Sequence, residues 1–131
     1  LMVPGIPNPA HILLAQAESP NGLLLAGHLL REKFCLSLRS DGTGLLQELP
    51  TLSVPHICII DLNLPNHTGM PLLQLAKTLP GWAQTPVILL SEGPQESHEI
   101  LAFRMGASDF VTKPIKFDPF LARIRRRLSA C

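Results

Sequence analysis

Three side chains with useful chemistry lie far apart in this sequence but in like positions. Asp61 closes the apolar run Ile57–Ile60, Ser91 closes Pro86–Leu90, and Lys113 closes Asp109–Thr112. The first two runs are aliphatic or β-branched and bounded by turn residues, which is the pattern of a buried strand, and the third, Asp-Phe-Val-Thr, reads as a short strand. In open α/β sheets the carboxyl ends of such strands face the ligand crevice. Taken singly, each residue has an ordinary use: Asp61 can cap a loop, Ser91 can end a strand, and Lys113 can sit in solvent. Taken together they put a carboxylate, a hydroxyl and an ammonium at the mouth of one crevice.

The elements that must position them follow from the periodicity. Ile12–Ala15 reads as a first strand, with a loop over Gln16–Asn21 and a helix over Leu23–Lys33. Phe34–Leu38 is a second strand, Ser40-Asp41-Gly42 a turn, and Thr43–Leu49 a short helix stopped at Pro50. Ile57–Ile60 is the third strand. Pro71 suits the first turn of the next helix, where its missing N–H costs nothing; that helix runs to about Leu79 and ends at Pro80-Gly81. Pro86–Leu90 is the fourth strand. A helix over Glu96–Met105 is closed by Gly106, Asp109–Thr112 is the fifth strand, and a last helix covers Asp118–Leu128. Strands alternating with helices imply parallel pairing through right-handed crossovers. The fold class is therefore α/β: a doubly wound, five-stranded parallel sheet in a three-layer sandwich.

Composition agrees with this and narrows the function. The chain has 131 residues, enough for one core, with 46% hydrophobic and 16% charged residues. A formal net charge of +1 gives no electrostatic drive toward nucleic acid or an acidic membrane. The apolar runs fall short of the roughly 18 residues that span a bilayer. The N-terminus lacks the basic segment of a signal peptide, and residues 1–10, with Pro4, Pro7 and Pro9, read as a leader or expression remnant ahead of a domain at 11–129. Cys35, Cys58 and Cys131 match no metal spacing; Cys35 and Cys58 lie in apolar runs and read as buried free thiols, which suits a reducing, cytoplasmic setting. The five histidines are scattered singly and pair at no metal-ligand spacing; His98 falls on a helix, facing solvent. Arg123, Arg125, Arg126 and Arg127 on the last helix read as a solvated face whose cations suit the helix C-terminus, not as a direct nucleic-acid contact.

From Ile12 to Leu128 the sequence resembles the receiver domain of two-component response regulators. Ile57-Cys58-Ile59-Ile60-Asp61-Leu62-Asn63-Leu64-Pro65 and then Gly69 resemble the phosphoacceptor strand and loop. Pro86–Ser91 resembles the strand that ends in the switch hydroxyl, and Gly106–Pro114 the fifth strand with its Lys-Pro pair. The resemblance implies the flavodoxin-like (β/α)5 fold and a set of roles. Asp61 would accept a phosphoryl group, Lys113 would pair with a phosphoryl oxygen, and Ser91 would hydrogen-bond another. Phe110 would be the aromatic that moves with Ser91, the Asn63 backbone carbonyl would be a metal ligand, and the bond before Pro114 would be cis.

One block departs from the family. Its first strand ends in two adjacent acids that hold Mg²⁺; the matching positions here are Gln16 and Ala17, with Glu18 next. A register slip that brought Glu18 inward would turn apolar side chains outward, so slippage is not expected. Mg²⁺ needs several hard oxygen ligands at short range, and Asp61 with the Asn63 carbonyl is a poor set. Losing ~3–5 kcal/mol of charge stabilisation would slow phosphoryl transfer by roughly 10²- to 10⁴-fold. The expectation is thus an atypical pseudo-receiver: not an enzyme in its own right, with weakly held Mg²⁺, signalling through protein contacts. Without neighbouring carboxylates Asp61 should pair with Lys113, and Phe110 should rest buried. A histidine kinase or phosphotransfer protein is the implied phosphoryl donor. A partner protein or second copy is expected on the face of the fourth helix, fifth strand and fifth helix, which carries His98, Glu99 and Arg104. The last helix also resembles those that lead into a DNA-binding output domain. Other readings are a conventional phosphoacceptor receiver, a small Asp-nucleophile phosphotransfer enzyme, and a flavin-binding domain. The enzyme usually wants a second acid where Asn63 stands, and the flavin reading lacks a phosphate-cradling loop after strand one.

Overall fold

The computed structural model describes residues 7–93 and 95–129. Five strands, β1 (His11–Ala15), β2 (Cys35–Arg39), β3 (Ile57–Asp61), β4 (Val87–Glu92) and β5 (Asp109–Lys113), alternate with five helices. The helices are α1 (Pro20–Arg31), α2 (Gly42–Glu48), α3 (Gly69–Thr78), α4 (Glu96–Arg104) and α5 (Phe117–Ser129). All strand pairs are parallel, in the order β2-β1-β3-β4-β5. This is the doubly wound flavodoxin-like order, and the strand sequence reverses at β1/β3.

The two-residue period of each strand divides the core. Leu13, Cys58, Ile60, Val87 and Leu89 face α2, α3 and α4, with Leu45, Leu72, Leu73, Ala102 and the buried Trp82. Ile12, Leu14, Ile57, Ile59, Ile88 and Leu90 face α1 and α5, with Leu25, Leu29, Phe120 and Ile124. β3 is buried at all five positions, which explains its uninterrupted apolar run up to Asp61.

Local chemistry moves several boundaries from those read in the sequence. α1 begins at Pro20, not Leu23, because Ser19 caps it: its Oγ accepts the Gly22 N–H at 3.0 Å and proline occupies the first turn. It ends at Arg31, and Lys33 takes a left-handed φ of 70°. Pro50 does not end the second helix outright but lies in a 3₁₀ turn, Leu49–Thr51, that follows it. Gly106, at φ 104°, lets the chain turn beyond α4. Cys35 is exposed on the edge strand, contrary to the buried thiol expected, whereas Cys58 is buried and its thiol is pushed up to about 12 by burial. The edge position explains this, since β2 has a neighbour on one side only. The expected leader at 1–10 lies outside the described residues over 1–6, as does Cys131; Ala10 is already part of the core.

Candidate functional site

The crevice is built by the end of the sheet. β3 delivers Asp61 at its last position, 4% exposed. The chain then turns: Leu64 N–H bonds to the Asp61 carbonyl, and Asn63 N–H donates to Asp61 Oδ1 at 2.8 Å. An aspartate side chain that accepts a backbone N–H two residues on is a local turn, stabilised within the sequence itself. Gly69 closes the loop from behind. A Cβ there would stand 2.8 Å from Leu62 Cα and 3.0 Å from the Asp61 carbonyl oxygen, so only glycine fits without moving the main chain.

β5 brings Lys113 to the same point. Its Nζ lies 2.6 Å from Asp61 Oδ2, and its side chain keeps 28% of its surface exposed against 6% for Asp61. The expected pair is therefore present, with the carboxylate as its buried member. The Lys113–Pro114 bond is cis. β4 brings Ser91, fully buried, whose Oγ donates to the Gly93 carbonyl at 3.2 Å. Glu92, one residue on, gives its backbone N–H to Asn63 Oδ1 at 3.1 Å.

β1 supplies the fourth wall. Ala15 pairs with Ile60, so Gln16 is carried next to Asp61 with no slip. The Gln16 amide donates from Nε2 to the Gly22 carbonyl at 2.8 Å, which ties it to the start of α1. Gln16, Asp61, Glu92 and Lys113 line a cavity of about 440 Å³ whose apolar wall includes Leu25, Ile115 and Phe117. His28 stacks on Phe117 at 4.5 Å at its side. Ala17 and Glu18 do not line this cavity; they line an adjoining groove beside β2, with Arg39 and Ser40, that shares Gln16, Ser19 and Gly22 with it.

These distances bear on a divalent cation. The cavity lining has Asp61, already held by an ammonium, one further carboxylate on the exposed Glu92 at the end of β4, and one neutral amide, Gln16, whose nitrogen is already bonded. Among the described residues no group of three histidine, cysteine, aspartate or glutamate side chains could hold a metal. Mg²⁺ prefers six oxygens at about 2.1 Å with carboxylates among them, so this donor set fits a tightly bound Mg²⁺ badly.

The comparisons with known proteins meet this geometry. A family model described as the response regulator receiver domain matches residues 12–125. The chain belongs to that family. The receiver domain of Klebsiella pneumoniae RstA, solved in a BeF₃-activated form, is 26% identical, with a TM-score of 0.77 over 90% of this chain and 97% of that one. The transcriptional regulatory protein TorR of Escherichia coli is 28% identical over 120 residues, 92% of this chain and 50% of TorR. KdpE of Mycobacterium tuberculosis, also a transcriptional regulatory protein, is 44% identical over 71 residues, 54% of this chain and 30% of KdpE. The chain thus spans half or less of the length of these curated relatives.

Phe110 of this receiver domain is 8% exposed and packs with Leu89, Ala102 and Ala107. His98 and Arg104 are exposed on α4 and Glu99 is half-buried, beside the exposed apolar side chains Ile100, Leu101 and Phe103. The arginines of α5 are more engaged than a simply solvated face: Arg123 pairs with Asp109, Arg125 with Glu32, and Arg127 donates to the Ser108 carbonyl. No helix among the described residues is long and apolar enough to cross a membrane. Sequence reading missed the side chain of Asn63 and the Glu92 N–H that it holds. A polar amide in the loop directly after a strand-end acid was the signal for it.

Proposed function

We propose that this receiver domain is an atypical one, with Asp61 as a poor phosphoacceptor and output carried mainly by protein contact. In that reading a carboxylate oxygen of Asp61 attacks the phosphorus of a phosphohistidine. The P–N bond breaks, its electron pair stays on the histidine nitrogen, and an acyl phosphate forms. Lys113 and Ser91 then serve two phosphoryl oxygens, and Phe110 follows Ser91. The observation that carries the reading is Gln16: a neutral amide beside Asp61 where an acid would be needed, with Asp61 already neutralised by Lys113. Phosphoryl transfer depends on neutralising charge spread over the phosphoryl oxygens, and one lysine does less of this than a lysine with a metal.

The unit is taken as residues 11–129, in a cytoplasmic protein. Its phosphoryl donor would be a histidine kinase or phosphotransfer protein. Its contact face would be α4–β5–α5, docking a partner protein or a second copy. The match to regulators of about twice its length favours an attached DNA-binding output domain, with no direct nucleic-acid contact by this one.

The test is Mg²⁺ calorimetry together with acetyl phosphate labelling of Asp61 read by mass spectrometry. The unmutated protein should bind Mg²⁺ weakly and label slowly. Gln16→Asp, alone and with Ala17→Asp, should tighten Mg²⁺ binding and speed labelling by roughly 10²-fold or more. Tight Mg²⁺ binding and fast labelling without mutation would make this a conventional phosphoacceptor receiver.

A further inference from the structure

Four donors around Asp61 are engaged with acceptors of the protein itself. Lys113 Nζ and Asn63 N–H go to the two carboxylate oxygens, Ser91 Oγ–H goes to the Gly93 carbonyl, and Glu92 N–H goes to Asn63 Oδ1. The last is the unusual one. β3 and β4 keep their ladder as far as Leu62 N–H to the Leu90 carbonyl at 2.8 Å, and then the β3 chain turns away. Glu92 N–H, two residues further along β4, faces the place β3 has left. The Asn63 carboxamide extends the ladder by one rung in its stead. Asn63 is itself exposed, so packing does not demand it there. Glu92 lines the same cavity as Asp61 and Lys113.

We propose that the Asn63 carboxamide is a positioning residue that competes with the phosphoryl group for the Glu92 N–H. A phosphoryl group on Asp61 adds three anionic oxygens to a crevice poor in cations, and each needs a donor. Ser91 supplies one by rotating away from Gly93, and Lys113 supplies another. The backbone N–H of Glu92 becomes available only when Asn63 lets go. The same contact ties the loop after Asp61 to the end of the strand that carries Ser91, so its release couples occupancy of Asp61 to movement of β4. This rests on Asp61 as the acceptor.

The experiment uses the full chain, ¹⁵N-labelled, titrated with beryllofluoride in the presence of Mg²⁺, as unmutated protein and as Asn63→Ala. In Asn63→Ala, before any ligand is added, the Glu92 amide proton should shift upfield and exchange faster, with thermal stability nearly unchanged. Beryllofluoride should then bind about five-fold more tightly, the worth of one neutral hydrogen bond no longer broken. A Glu92 amide that does not move overturns the contact. An amide that moves with affinity equal to or weaker than the unmutated protein overturns the competition. If neither protein binds beryllofluoride, the acceptor reading itself fails and the proposal with it, an outcome distinct from failure of Asn63 alone.

Discussion

The two ends of the sheet use polar groups in opposite ways. At the carboxyl end, Asp61 and Ser91 are almost wholly buried, Asp61 satisfied by the Lys113 ammonium and the Asn63 N–H and Ser91 by the Gly93 carbonyl. At the amino end, His11 and His56 serve the main chain and a neighbouring strand. The His11 N–H donates to His56 Nδ1 at 2.8 Å, and His11 Nε2 bonds Ser37 Oγ at 2.7 Å. One end keeps a cavity between its polar groups; the other joins strand starts. A buried charge whose only cation can be removed is costly, whereas a half-exposed imidazole can fall back on water. The contrast teaches that burial, more than the number of polar contacts, marks the end of this sheet where a change of ligand or charge will be felt.

The largest effect that could break this contrast is at Lys113. Lys113→Ala leaves the Asp61 carboxylate buried and unpaired and should cost about 2–4 kcal/mol of unfolding free energy. Asp61→Asn leaves a lysine that can turn to water and should cost about 1 kcal/mol or less. Urea denaturation of both variants checks the order. Equal costs would mean that the carboxylate is better solvated than its 6% side-chain exposure implies. Next comes Gly69→Ala, where the added methyl meets main chain on the Asp61 loop. About 1–3 kcal/mol should be lost, and the Asn63 amide resonance should move as the Asp61 turn is displaced. An unchanged spectrum would show that the loop has slack.

The smallest effect belongs to the amino end. Burial first, and His56 second, lower the pKa of His11 below its ordinary 6.5. The unfolded chain then takes up the proton before the folded one does. The contribution of His11 is complete above pH 6.5 and is lost as pH falls through that value toward the lower folded pKa. His11→Gln should therefore reduce the loss of stability between about pH 7.5 and about pH 5.5, measured by thermal unfolding. A steeper loss in the variant would reverse the sign and remove the contrast between the two ends.

Much of the fold was legible because its signals are local. The apolar runs ending at Asp61 and Ser91 and the Gly106 turn beyond α4 each declare themselves within a few residues, and alternation of strand and helix then leaves few topologies. Ser40-Asp41-Gly42, expected as a turn, is instead the start of α2, capped by Asp41, whose carboxylate accepts the Thr43 N–H. The capped start of α1 is legible in Ser19-Pro20, a helix-start signal, whereas the leucine spacing by itself points to Leu23. The exposure of Cys35 was not legible: an edge strand and a central strand can carry the same apolar run, and only strand order tells them apart.

The same division runs through the site. Sequence by itself determined that a carboxylate, a hydroxyl and an ammonium end three strands, and that Gln16 and Ala17 stand where a receiver places acids. Only tertiary structure decided that Gln16 lines the cavity of Asp61 while Ala17 and Glu18 line only the adjoining groove, and that Lys113 closes on Asp61 across 52 positions of sequence. It alone decided that the Asn63 carboxamide reaches Glu92, 29 positions away. The reason is physical. Residue type and periodicity act over one turn of helix or one strand. Which side chains meet at a sheet's end depends on strand order and register, and these are settled when the whole hydrophobic core closes at once.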